Sequence, residues 1–222
     1  TDQFVFISSA SAYQKPPQNY LITEETPLEN PYWEYSRNKI ACENLLMKAY
    51  REDKFPVTII RPALVLGPNT YWRSIFRIIA KGFPLIGKGT NAWQMIYVKD
   101  LAAFIAHCVG NEDTYNETYI CAEKETHTLK EVVDMMADIQ GVKRTGSILA
   151  WLGFPLSHLF ALQSALTGKK SILIPAHVKR LFKHRDYSIQ KALSTGWKPL
   201  YSTRAALEET YRVLRENGIL NS

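Results

Sequence analysis

Tyr35 and Lys39 stand four residues apart in the run Tyr35-Ser36-Arg37-Asn38-Lys39. On a helix that spacing puts both side chains on one face. A phenol ionises near pH 10 (roughly), too high for proton exchange at neutrality, and an ammonium held beside it favours the phenolate. The pair is therefore a candidate general acid/base. A YxxxK match alone is common on ordinary helix surfaces, so its meaning depends on what precedes it. Here Phe4-Val5-Phe6-Ile7 runs into Ser8-Ser9-Ala10-Ser11-Ala12-Tyr13. A short continuous apolar run reads as a strand buried on both faces of a parallel sheet. Ser9 would then carry a hydroxyl to the carboxyl edge of that sheet, where open α/β folds bind ligands.

The positioning elements follow from periodicity. A stretch rich in turn formers (Pro16, Pro17, Asn19, Pro27, Asn30, Pro31) leads to a helix from about Trp33 to Arg51. Val57-Thr58-Ile59-Ile60, between Pro56 and Pro62, predicts a second parallel strand. Strand, long helix and strand make a βαβ unit. Beyond it the pattern predicts a helix over Ser74 to Lys81, a glycine-rich turn over Gly82 to Gly89, a strand over Met95 to Val98 and a helix over Asp100 to Val109 begun by an Asp100 cap. A strand over Glu117 to Cys121 follows, then a helix over Leu129 to Ile139, capped by Thr128 and closed by Gly141, and a terminal amphipathic helix over Ala205 to Glu216. Arg61 reads as a structural cation beneath the sheet, and His107 as a core histidine.

With 222 residues, 46% hydrophobic and 22% charged, the chain can bury a sizeable core. Cys42, Cys108 and Cys121 are odd in number and scattered, which argues against a disulfide framework or a zinc site and for a reducing cytoplasm. No His/carboxylate set has metal-ligand spacing, so no metal is expected. The net charge of +6 is local. Lys143, Arg144, Lys169, Lys170, Lys179, Arg180, Lys183 and Arg185 fall in a stretch without acidic residues, and the remaining chain has 19 basic against 21 acidic side chains. Nucleic-acid binding is therefore not expected from the charge alone.

Five segments in order give the chain a family likeness. Ser8-Ser9 with Tyr13, Thr23-Glu24-Glu25-Thr26-Pro27 ahead of Tyr35-x-x-x-Lys39, Ile60-Arg61-Pro62-Ala63-Leu64-Val65-Leu66-Gly67-Pro68, Tyr97-Val98-Lys99-Asp100-Leu101-Ala102 and Lys191-Ala192-Leu193-Ser194-Thr195-Gly196-Trp197-Lys198-Pro199 together resemble the NAD-dependent epimerase/dehydratase family, the extended short-chain dehydrogenase/reductases. The late region is similar to 3β-hydroxysteroid dehydrogenase-like members. The resemblance implies an α/β fold: the C-terminal part of a doubly wound, Rossmann-type parallel sheet with a smaller α/β substrate lobe. Residues 1–68 would be the end of the dinucleotide-binding domain with the YxxxK helix, and 69–222 mainly the substrate lobe, with segments returning to the sheet. It further implies that Ser9, Tyr35 and Lys39 are catalytic. Ser9 would hydrogen-bond the substrate oxygen, Tyr35 shuttle its proton, and Lys39 lower the tyrosine pKa and hold the nicotinamide ribose. The same three, with the backbone of Pro62 and Ala63 at the carboxamide, would bind NAD or NADP.

Family members open with a G-x-x-G-x-x-G turn, and nothing here corresponds. About 100 residues, roughly three βα units at about 30 each, are therefore expected ahead of Thr1. The choice between NAD and NADP lies in that part, and the isolated fragment is expected to be inactive.

The resemblance implies NAD(P)-dependent oxidation or epimerisation at a carbinol carbon, of a sugar nucleotide or a hydrophobic alcohol. Ala10 and Ser11 stand where 4,6-dehydratases carry an acidic pair, so that reaction is not expected. Trp93 stands where UDP-sugar epimerases often have a diphosphate-binding arginine, and reads instead as a hydrophobic wall. The rivals are an RNA-binding or a non-catalytic relative of the same fold; the basic stretch lacks the interleaved aromatics that base stacking needs. The Trp33 to Arg51 helix is expected to form a homodimer interface, as in many relatives. From Thr145 to Gly168 no residue is charged. We expect two short helices broken near Pro155 to cover a substrate pocket with Leu149, Trp151, Leu152, Phe154, Leu159 and Phe160, with peripheral membrane contact as a secondary role.

Overall fold

In a computed structural model the chain is described over residues 2–13, 20–29, 33–144, 146–167, 175–218 and 220. The predicted turn at Pro16, Pro17, Asn19, Asn30 and Pro31, the cations Lys169 and Lys170, the segment limits Thr145 and Gly168, and the Phe160 side chain lie outside the described residues. The described elements run β1 (Phe4–Ile7), α1 (Glu34–Asp53), β2 (Val57–Pro62), β3 (Leu64–Leu66), α2 (Thr70–Ala80), β4 (Leu85–Ile86), β5 (Met95–Tyr97), α3 (Val98–Cys108), β6 (Thr118–Cys121), α4 (Leu129–Ile139), β7 (Ser147–Ile148), α5 (Ala150–Thr167), α6 (Pro175–Leu181), α7 (Gln190–Ser194) and α8 (Thr203–Glu216). The chain is α/β, and the paired strands are parallel.

Two compact units are interleaved along it. The first comprises Thr1–Leu66, Gln94–Thr126 and Arg185–Thr203. Its three-stranded sheet has the order β1-β2-β6, with Ile7 beside Ile60 and Pro62 beside Cys121. Every residue of β2 is buried, as its β-branched run demands of a central parallel strand. Ile60, Ile96, Phe104, Ile120 and Trp197 are part of its core.

The second unit comprises Gly67–Trp93, His127–His184 and Arg204–Ser222. In α4, Thr128 accepts from the Glu131 N–H while Glu131 accepts from the Thr128 N–H, a reciprocal capping box. Gly141 sits at φ +65 just beyond the last turn, where a side chain would be strained. Both ends of this helix were legible in the sequence.

Two expectations need correcting. Pro155 does not divide the uncharged stretch: α5 is one helix with the proline inside it. At the sixth position the ring removes only one i to i−4 hydrogen bond, and the helix continues. Asp100 does not cap a helix either. The helix α3 begins earlier, with Tyr97 at its N-cap, and the buried Asp100 carboxylate accepts from the Leu200 and Tyr201 N–H groups at 2.9 and 3.1 Å. No described helix is long and apolar enough to cross a membrane.

Candidate active site

The first unit carries the candidate site. The strand end at Ser9 turns at once into a short 3-10 helix, Ala10–Ala12; Ser9 Oγ accepts from the Ser11 N–H at 3.1 Å and donates to Ser11 Oγ at 2.9 Å. The Ser36 hydroxyl, on α1, lies 3.1 Å from both Ser11 O and Ser11 Oγ. These bonds staple the end of β1 to the helix at the residue beside Tyr35. Ser36 is a contributor that sequence reasoning missed, because its partners lie 25 positions away and leave no local pattern.

Tyr35, Lys39 and Glu43 follow one another at i, i+4 and i+8 on one face of α1. The face descends from solvent to core: Tyr35 is 55% exposed, Lys39 half-buried and Glu43 buried. The Lys39 ammonium donates to the Ile7 carbonyl at 2.6 Å, at the carboxyl end of β1. It stands 4.8 Å from the Phe6 ring centre and 5.8 Å from that of Tyr35. The structure thus places Ser9, Tyr35 and Lys39 around one strand end, with Lys39 turned toward the strand.

Glu43 anchors the inner end of that face. Arg61 on β2 donates to its carboxylate from Nε at 3.1 and 3.2 Å and from Nη2 at 2.6 Å, and Arg61 Nη1 donates to Tyr13 Oη at 2.8 Å and the Glu24 carbonyl at 3.2 Å. Burial works against the Arg61 charge, but the hydrogen bonds and charge of Glu43 and the hydrogen bond to Tyr13 offset it and hold the guanidinium above its ordinary pKa. The structural role expected for Arg61 is the one it has. Burial likewise pushes the Tyr13 phenol well above its usual range, against the opposing Arg61 charge. Tyr13 therefore stays protonated and is unsuited to proton exchange at neutrality, which leaves Tyr35 as the exposed tyrosine of this cluster.

Pro62 and Ala63 end β2 on the same sheet edge. The Ala63 N–H donates to Cys121 O at 2.9 Å and Pro62 has no N–H. Any contact of this pair with a carboxamide must come from their carbonyl oxygens. Nearby, Ser8 Oγ is buried with no hydrogen-bond partner among the described residues. A polar nucleoside carrying hydroxyls and an amide fits such a donor and acceptor set: Lys39 has three donor hydrogens, Ser8 an unsatisfied hydroxyl, and the end of β2 offers carbonyls.

Known proteins resemble the chain in the same terms. The family model described as NAD dependent epimerase/dehydratase matches residues 1–122. An N-acetyl-alpha-D-glucosaminyl-diphospho-ditrans,octacis-undecaprenol 4-epimerase of Escherichia coli O157:H7 is 26% identical over 214 residues, covering 93% of this chain and 63% of that protein. A 3beta-hydroxysteroid-dehydrogenase/decarboxylase of Arabidopsis thaliana is 25% identical over 194 residues, 79% of this chain and 34% of its own length. Among solved structures, UDP-glucuronic acid 4-epimerase from Bacillus cereus, in complex with UDP-glucuronic acid and NAD, superposes with a TM-score of 0.72 at 20% identity, over 97% of this chain and 62% of that one. The chain thus spans less than two thirds of the length of each of these proteins, and over that span it belongs to the NAD dependent epimerase/dehydratase family.

Proposed function

We propose that this chain supplies the proton-transfer residues of an NAD(P)-dependent oxidoreductase or epimerase acting at a carbinol or carbonyl carbon. The observation that carries the reading is the stacking of Tyr35 and Lys39, one helical turn apart, against the carboxyl end of β1 where Ser9 stands. Tyr35 Oη takes the proton from the carbinol oxygen and returns it. Ser9 Oγ hydrogen-bonds the same oxygen and fixes its direction. The Lys39 ammonium reaches the nicotinamide ribose, while the Pro62 and Ala63 carbonyls hold the carboxamide. When bound, NAD or NADP accepts the hydride from the carbinol carbon and, in an epimerase, returns it. In this reading residues 1–68 serve the cofactor and 69–222 mainly the substrate. The E. coli and Arabidopsis relatives, one a sugar diphospho-lipid epimerase and one a hydroxysteroid dehydrogenase, both support a carbinol substrate.

The test is Tyr35→Phe in the full-length protein. Turnover should fall roughly 100- to 10,000-fold, the usual worth of a positioned acid/base, with cofactor affinity largely kept. Retention of a tenth of wild-type turnover, a barrier change of only about 1.4 kcal/mol, would remove Tyr35 from the role. We also read α1 as a homodimer surface. Leu45 is 67% exposed on it, and Leu45→Glu should convert a dimer to monomer in light scattering; a wild-type protein already monomeric at micromolar concentration ends that reading.

A further inference from the structure

The second unit contains a cavity of about 120 Å³. Its walls come from α2, β4, α4 and α6, with Trp72, Ile86, Trp93, Val132 and Met136 among the buried side chains that line it. Arg180 is the one charged residue among the described lining residues, and Tyr71 the one phenol. A cavity walled in this way offers almost nothing to the hydrogen-bonding edges of a base or a sugar. Burying such groups without partners is strongly unfavourable. An engineered apolar cavity of about 150 Å³ stays dry and accepts benzene. The present one is of similar size, so it suits a ring or a branched chain of about six carbons. The guanidinium of Arg180 is half-buried, and it keeps its charge although burial lowers its pKa. A cation beside an apolar chamber selects molecules that join an anionic group to an apolar body.

We infer that this cavity binds the apolar portion of a ligand that also carries an anionic group, a carboxylate or phosphate, placed toward Arg180. That the ligand is the substrate rests on the function proposed above; the binding itself does not.

Trp72 and Trp93 make the site readable. The probe is 6-bromohexanoate, whose bromine quenches indole fluorescence on contact. The wild-type chain should show saturable quenching, and 6-bromohexanol, which lacks the anion, should bind at least fivefold more weakly. Val133→Phe, which fills the cavity, should weaken the acid and the alcohol alike by tenfold or more. Arg180→Met should weaken the acid to the level of the alcohol and leave the alcohol unchanged. Should Val133→Phe not fold, as judged by its circular dichroism, the Arg180 comparison decides alone. Quenching that never saturates, equal affinity for acid and alcohol in the wild type, or displacement of the probe by UDP-glucose more readily than by hexanoate overturns the inference. Tyr35→Phe should quench as the wild type does, so loss of the catalytic reading and loss of this one are told apart in the same set of proteins.

Discussion

The two units solve burial in opposite ways. In the first, charged and polar side chains go into the interior and are tied there: Arg61 to Glu43, Tyr13 and Glu24, Asp100 to two backbone amides, Glu123 to Met95 and Thr203. In the second, apolar side chains line an interior cavity. A buried polar network is intolerant of change, because each group orphaned by a substitution bears its full desolvation cost. Apolar walls tolerate exchange among residues of similar volume. The first arrangement suits atoms that must be held in register for chemistry, and the second suits shape selection.

The strongest way to break this contrast is to cut the network at its centre. Glu43→Ala leaves Arg61 charged and buried without its main partner, and should cost about 3–5 kcal/mol in urea unfolding. Since Glu43 lies on the same face of α1 as Tyr35 and Lys39, the variant should also lose turnover. Turnover unchanged from the wild type would mean that α1 is not held by this pair.

The contrast also explains what could be read in the sequence. Polar sites need particular residues at particular spacings, so Tyr35, Lys39 and the serine-rich end of β1 stood out, and Arg61 read as structural. The ends of α4 were legible because Thr128, Glu131 and Gly141 act on their own neighbours. Asp100 misled because its partners are about a hundred positions away, at Leu200 and Tyr201, with no local trace. Pro155 was given more breaking power than a single lost hydrogen bond carries. The strand β7 was missed because Ser147 and Ile148 alone make no pattern. The cavity was hidden for a different reason: residues such as Ile79, Val132 and Met136 look the same in sequence whether they fill a core or surround a void. Leu149, Trp151, Leu152 and Leu159, expected to line a pocket, are exposed in this chain and do not line that cavity. Trp93, expected as a wall, does line it.

A second cut uses pH. Burial raises the Glu123 carboxyl to about 7, with the Thr203 and Met95 hydrogen bonds opposing the rise. In the unfolded chain it ionises near its ordinary value of 4.5. Between those two values the folded state keeps a proton that the unfolded state gives up, so stability should decline as pH rises from 4.5 to about 7 and level off above. Glu123→Gln should flatten the profile, and at pH 8 it should be more stable than wild type by at most about 3 kcal/mol, at about 1.4 kcal/mol for each unit of displacement. A wild-type curve that rises across this window contradicts the assignment.

In the second unit a smaller effect is expected from Gly153. A Cβ there would overlap Ile86 Cγ2, so α5 approaches β4 only because the side chain is absent. Gly153→Ala should cost about 1–3 kcal/mol, as overpacking does. It should also move Ile86, a wall of the cavity, and change the affinity for 6-bromohexanoate. If stability is unchanged, the close approach of α5 to β4 is not a feature of the folded protein.

The smallest effect concerns the cap of α4, the helix that supplies Val132 and Met136 to the cavity wall. The Thr128 hydroxyl accepts from the Glu131 N–H at 3.2 Å and the Glu131 carboxylate accepts from the Thr128 N–H at 2.7 Å, so two of the four unpaired amides at this helix start are satisfied outside the buried interior. Thr128→Ala should therefore cost only about 1 kcal/mol, the usual worth of an N-cap. The backbone and hydroxyl hydrogen bonds from Thr128 hold the Glu131 carboxyl below its ordinary value of 4.5. A carboxyl whose folded pKa is depressed contributes stability that is present above its unfolded value and is lost as pH falls through the folded one. The difference between wild type and Thr128→Ala should accordingly be steady at neutral pH and shrink below about pH 4.5. Because the Glu131 side chain is exposed, salt should weaken its electrostatic share as well. A loss near 3 kcal/mol, or one that does not change with pH, would mean that this local cap bears on the packing of the cavity wall, and the separation drawn between a network-held unit and a packing-held unit would no longer stand.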